Sequence, residues 1–159
     1  MNIQEIYNQA QSDPDLFSSM NIDELLENIE TETTEYLEGK TLELISNEIR
    51  EVLSSCSDIR DIHPIFNKLM GYRYVSFVRD IRQGVYIRWI CPGRTKLENG
   101  GTVISVKICE EGVQVICKTA IGRHISFRFD ECVVFQKLTT EEQLILMAYE
   151  YIQKDESGK

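Results

Sequence analysis

The apolar residues of this chain change their repeat near Gly84, from a helical spacing to strict alternation, and no single class of secondary structure accommodates both patterns. Before Gly84 the stripes are helical. Ile3, Ile6, Tyr7 and Ala10 line one face of a first helix. Asp13-Pro14 then interrupts it, with Asp as a cap and Pro opening a short turn through Leu16 and Phe17. Behind Asn21, Ile22, Leu25, Leu26 and Ile29 form a second stripe; the threonines of residues 31–34 weaken it and Gly39 breaks it. A third stripe holds Leu42, Ile45, Ile49, Val52 and Leu53. A fourth, Ile62, Ile65, Phe66, Leu69 and Met70, carries Pro64 in its first turn, where a missing N–H costs little. Residues 72–83 fit either period. Bracketed by Gly71 and Gly84, with Gly84 placed as a left-handed C′ residue, they are expected to be helical.

Five short alternating segments follow, residues 85–91, 102–108, 113–119, 124–130 and 132–137. Their expected inward residues are Val85, Ile87 and Trp89; Ile104, Val106 and Ile108; Val113, Val115 and Cys117; Ile125, Phe127 and Phe129. Turn residues separate them: Pro92-Gly93, Asn99-Gly100-Gly101, Glu110-Glu111-Gly112 and Ile121-Gly122. Spacing this tight favours a small antiparallel barrel, since closure removes exposed edges. A last helix begins at Leu138-Thr139-Thr140-Glu141-Glu142, with Thr139 and Glu142 at capping-box spacing and Leu144, Met147, Ala148, Tyr151 and Ile152 on its buried face. The polar tail, residues 154–159, is expected to fray. The architecture expected is therefore α+β, with an acidic helical region over residues 1–83 and a five-stranded antiparallel barrel plus C-terminal helix over residues 84–159.

Charge follows the same division. Residues 1–70 hold 15 acids and 4 bases, net −11; residues 71–137 hold 6 and 11, net +5; residues 138–159 hold 5 and 2, net −3. Segments so different either do different electrostatic work or pair with one another. Met1-Asn2-Ile3-Gln4-Glu5 has neither a basic nor an apolar leader region, which points to an intracellular, reducing location. No apolar run approaches the roughly 20 residues of a membrane span, and the helices present acidic faces, opposite to those that bind anionic lipid.

The residues offer little for catalysis. Cys56, Cys91, Cys109, Cys117 and Cys132 contain no C-x-x-C pair, and His63 and His124 lack helical ligand spacing, so no metal is expected. Cys109 and Cys117 flank one hairpin, but its turn places Val113 opposite Cys109 and Ser105 opposite Cys117. The thiols are expected to be inert and buried. Only His124 shares a β segment with candidate thiols, and it is expected to face outward beside Arg123. Glu24, Glu27, Glu30 and Glu35 belong to polar helix faces rather than to an acid–base pair. Asn99-Gly100-Gly101 lacks the flanking residues of a phosphate loop. No cofactor is implied.

Binding has firmer support, because arginines interleave with aromatics in Tyr72-Arg73-Tyr74, Phe77-Val78-Arg79, Tyr86-Ile87-Arg88-Trp89 and Phe127-Arg128-Phe129. The candidate binding residues are Tyr86, Arg88, Arg94, Lys96, Arg123 and Arg128. They would meet an acidic protein surface, including the acidic segment of another copy, or a single-stranded nucleic acid whose backbone is tracked by cations and whose bases stack on aromatics. The competing account is that arginine stems simply cover apolar surface.

Over residues 84–137, the run Gly84-Val85-Tyr86-Ile87-Arg88-Trp89-Ile90 and the later Asn99-Gly100-Gly101-Thr102-Val103-Ile104 resemble a small SH3-like or Tudor-like barrel. That resemblance implies binding rather than chemistry, and for the Tudor type an aromatic cage, for which Tyr86, Trp89 and Phe135 are available. The run G-x-Y-I-R-W-I followed by G-G-x-V-I is also similar to small uncharacterised proteins of large DNA viruses, which implies a virion-associated interaction protein.

Overall fold

A computed structural model describes residues 3–13, 15–19 and 35–157. The stripe expected at Ile22, Leu25, Leu26 and Ile29 and the weak point at residues 31–34 lie outside the described residues. The helices are α1 (Ile3–Ser12), α2 (Leu16–Ser19), α3 (Leu42–Ser55), α4 (His63–Lys68) and α5 (Thr140–Ser157). The strands are β1 (Tyr72–Val75), β2 (Tyr86–Ile90), β3 (Gly101–Cys109), β4 (Gly112–Lys118), β5 (His124–Arg128) and β6 (Val133–Lys137), making an α+β fold. Contacts divide the chain into two units, Met1–Ile45 with Leu138–Lys159, and Ser46–Lys137. The boundary expected at residue 83/84 is corrected accordingly: Gly84 lies inside the second unit, and the C-terminal helix groups with the N-terminal ones rather than with the strands.

In the first unit α5 is the central element. Leu144, Ile145 and Ala148 pack with Ile6 of α1 and Leu16 and Phe17 of α2, while Leu146 packs with Leu37, Ile45 and Leu138. Two apolar faces on one helix explain why its stripe is broad. The capping box at its start is formed as the sequence implies: the Thr139 N–H donates to Glu142 Oε1 at 2.9 Å, and the Glu142 N–H donates to Thr139 Oγ1 at 3.1 Å. Glu142 is fully buried, and its other oxygen accepts from the Tyr36 hydroxyl. The expected fraying is not seen from residue 154, since the helix continues through Ser157.

The second unit is one antiparallel sheet of six strands, in the order β1-β6-β2-β3-β4-β5. The five expected strands are all present. The expected count of five is corrected by β1, which falls in the segment assigned to a helix. Tyr72-Arg73-Tyr74-Val75 alternate half-buried and buried positions and pair with β6, Tyr72 opposite Lys137 and Val75 opposite Val134. Only three residues of that segment supported a helical stripe, and an open edge on β6 supplied four strand partners instead. Gly84 does take a left-handed φ of 81°, but in the turn entering β2.

The sheet is open in its hydrogen bonding, because β1 and β5 are its two ends. It is nevertheless strongly curled. Trp89 of β2 stacks on Phe127 of β5 with centroids 4.1 Å apart and planes at 18°, although three strand spacings, roughly 14 Å on a flat sheet, separate those strands. All six strands feed the enclosed cluster, through Val75, Ile87 and Trp89, Val103, Val115 and Cys117, Phe127, and Val134. On the outer side of β1, β6 and β2, Phe135, Ile90 and the Tyr72 and Tyr74 rings pack against Ile49 and Leu53 of α3 and Ile65 of α4. The outer side of β3, β4 and β5 contributes nothing to that cluster.

The phase expected for β3 needs correction. A bulge between Val103 and Ser105 shifts the pairing, so Val103 rather than Ile104 enters the core. Beyond it, Val106 and Ile108 share the inner face with their partners Val115 and Val113, but the strand outruns the core and leaves Ile108 83% exposed.

One buried polar contact ties the connection from β1 to β2 onto β6. Gln136 is fully buried; its Oε1 accepts from Arg73 Nη2 at 3.0 Å and from the Arg82 N–H at 2.8 Å. Its Nε2 donates to the carbonyls of Arg82 at 2.7 Å and Val85 at 3.3 Å. Replacing it by leucine removes all four bonds, and Q136L is expected to lower stability by about 3 kcal/mol; urea unfolding followed by the fluorescence of Trp89, the single tryptophan, measures it. T139A removes one cap acceptor from α5 and is expected to cost about 1 kcal/mol, read from the loss of helical circular dichroism in the same titration.

Candidate binding surface

Because side chains alternate along a strand and opposite residues share a face, the register fixes what the uncovered outer side of β3–β5 presents. One row runs Tyr86, Thr102, Lys118, His124. The next runs Ser105, Ile116, Ser126, and the third Lys107, Gln114, Arg128. These rows hold three permanent cations and no carboxylate. Lys107, Lys118, His124 and Ser126 are exposed, and the Gln114 amide donates to Ser126 Oγ at 3.0 Å, fixing the middle of the face. The alternate residues on the same strands, Val103, Val115, Cys117 and Phe127, supply the enclosed core. Core packing therefore dictates which way the cations point.

The six residues expected to bind separate into two groups. Tyr86 and Arg88 turn inward to the chain itself: the Tyr86 hydroxyl donates to the Asn99 carbonyl at 2.7 Å, and Arg88 Nε donates to the Glu98 carbonyl at 2.9 Å. They hold the loop between β2 and β3, which is also anchored by buried Leu97 opposite Ile90. Gly100 closes that loop with φ at 80°, where a Cβ would lie 1.9 Å from the Ile87 carbonyl oxygen. Arg94 and Lys96 stand exposed on the loop so held, and Arg123 is exposed in the turn between β4 and β5. Arg128 lies in the third outer row with its charge partly answered by Glu111 at 3.2 Å and Glu131 at 3.5 Å. Exposed pairs of this kind contribute little to stability.

Lys107, Lys118 and Gln114 were not singled out from the sequence. Their signal is the cross-strand register, which a bulge and three turns make hard to count. Arg73, one of the arginines interleaved with aromatics, is buried on Gln136. The aromatic cage does not form. Trp89 belongs to the enclosed core and Phe135 to the cluster on the opposite side of the sheet.

Among the described residues no group of three or more His, Cys, Asp or Glu side chains is placed to hold a metal ion, and no helix is long and apolar enough to cross a membrane. Burial pushes the Cys117 thiol up to about 11 and raises Cys56, whose neighbour Asp58 adds to the effect. Thiols held protonated in this way are poor nucleophiles. In the first unit an open groove of about 220 Å³ is lined by Ala10, Phe17, Met147 and Tyr151 together with Asp13, Glu150 and Lys154; the last two are paired at 3.5 Å.

The two units also carry opposite charge. Ser46–Lys137 holds 14 bases and 10 acids, net +4, and the remainder of the chain 3 bases and 16 acids, net −13. In comparison with known proteins, no family model, no curated protein and no solved structure matches the chain.

If Tyr86 and Arg88 are loop anchors, the Y86F/R88A double variant will exchange the Glu98 amide hydrogen, which donates to the Trp89 carbonyl at 2.8 Å, about tenfold or more faster than the parent. Hydrogen–deuterium exchange resolved to residues 94–100 reads this directly, and unchanged protection there would remove the anchoring role.

Proposed function

We propose that the chain is a non-catalytic interaction protein whose second unit receives an acidic protein surface on the outer face of β3, β4 and β5. The observation that carries this reading is the set of three outward rows with Lys107, Lys118 and Arg128 and no carboxylate. Arg123, exposed in the β4–β5 turn, and Arg94 and Lys96, exposed on the β2–β3 loop, add cations within the same unit. A face with an excess of cations, Arg128 being partly answered by Glu111 and Glu131, steers an acidic partner and disfavours basic ones. The net −13 of the first unit makes a second copy one such partner.

The SH3-like resemblance supports binding over chemistry. The last of five consecutive strands, β6, returns beside the first of them, β2, and β1 is an added edge, which suits a small half-open barrel of that kind. The likeness to small proteins of large DNA viruses extends the proposal to an interaction partner within a virion. Single-stranded nucleic acid fits less well, because base stacking needs free aromatic faces. Trp89 and Phe127 are buried, and Tyr86 is half-buried with its hydroxyl on Asn99.

Fluorescence anisotropy with a labelled polyglutamate peptide and a labelled thymidine oligonucleotide tests both readings. The peptide is expected to bind at low salt, to weaken as ionic strength rises, and to lose about tenfold in affinity with K107E/K118E. Oligonucleotide binding without peptide binding would replace the proposal with the nucleic-acid reading. Peptide binding indifferent to salt and to K107E/K118E would remove the electrostatic face.

A further inference from the structure

The ladder between β2 and β6 ends with Ile90 opposite Val133. One further step along the same register sets Cys91 opposite Cys132. Both side chains lie on the enclosed side of the sheet, as alternation from Trp89 and Val134 requires, and both pack against that core. The two thiols are near enough that Cys91 helps to raise the pKa of Cys132. Directly opposed residues of an antiparallel pair have Cα atoms about 4.5–5.5 Å apart, inside the roughly 4.4–6.8 Å window of a disulfide. Cys109 and Cys117, by contrast, face Gly112 and Val103. Cys91 and Cys132 are each half-buried, at the end of the ladder where the chain turns through Pro92-Gly93.

We propose that Cys91 and Cys132 are a redox-active cross-strand pair that closes and reopens by exchange with a low-molecular-weight disulfide of the glutathione type. In closing, the Cys91 thiolate attacks one sulfur of the small disulfide, whose S–S bond breaks; the departing thiolate takes up a proton in place of the one Cys91 lost. Cys132 then gives up its proton and attacks Cys91 Sγ, expelling the second small thiol. The protein is oxidised by two electrons, and one small disulfide is reduced to two thiols. The Cys132 thiol is pushed up to about 12 by burial and by the adjoining Cys91. Because Cys132 must give up this proton in the closing step, ring closure is faster as pH rises. The bond would join the adjacent strands β2 and β6, closing a covalent loop of chain that contains β3, β4 and β5, and would staple the start of the Arg94 and Lys96 loop. This inference stands on the β2–β6 register and is independent of what the basic face binds.

The test uses the native full chain equilibrated with graded ratios of reduced to oxidised glutathione, then alkylated and mapped by peptide mass spectrometry. Two of the five thiols are expected to be lost together, in a monomer, as one Cys91–Cys132 link that dithiothreitol reverses. C109S is expected to form the same link, and C91S to leave Cys132 alkylatable. Continued alkylation of Cys91 and Cys132 after oxidation of the native chain would overturn the pair. So would a link that joins other cysteines, or one that forms only in denaturant. Because the link is mapped in the parent chain, the outcome does not depend on whether C91S folds.

Discussion

A single buried carboxamide sets the frame of the second unit. Gln136 makes four hydrogen bonds, two as acceptor and two as donor, to Arg73, to both backbone groups of Arg82 and to the Val85 carbonyl. No apolar residue serves there, and a carboxylate would lack the two donors. Each unmade bond would cost a wholly or partly buried polar group one of its partners, so the network acts as a whole. It fixes β1 beside β6 and delivers the chain into β2 in one register. A slip of one residue there would send Phe135 and Val134 to the wrong faces and undo both cores that the sheet separates.

From that register the functional face follows as a remainder. The sheet curls until Trp89 meets Phe127, which fills its inner side. Helices α3 and α4 cover the outer side of β1, β6 and β2. What is left to solvent in this unit is the outer side of β3, β4 and β5, and it is there that Lys107, Lys118 and Arg128 align. Cations at these positions cost little in folding because they stay hydrated, and the absence of acids among them is a property of the rows rather than of the composition. The chain as a whole is acidic, at net −9.

Much of the fold was legible in local pattern. The helical stripes at Ile3 and Leu42, the proline-started helix at His63, the capping box at Thr139 and all five alternating segments after Gly84 are formed. Each rests on contacts or propensities within a few residues. The failures share a cause too. Tyr72–Val75 became a strand because β6 offered an edge, Ile104 lost its core position to a bulge, and Arg73 was buried because Gln136 waited 63 residues away. Of the six binding candidates, Tyr86 and Arg88 fold back onto their own loop. Lys107 and Lys118 escaped notice because they become neighbours of Arg128 and Tyr86 only once three strands are in register.

The sequence by itself determined the order of helices and strands, where turns fall, and the segregation of acids from bases, since these depend on periodicity, cap and turn chemistry and simple counting. The tertiary structure alone decided which strands adjoin, that α5 belongs with α1, which arginine is buried and which cations share a face. Those facts depend on pairing between residues far apart in the chain. Hydrogen-bond satisfaction and core packing select such pairings together, and no local window contains both partners.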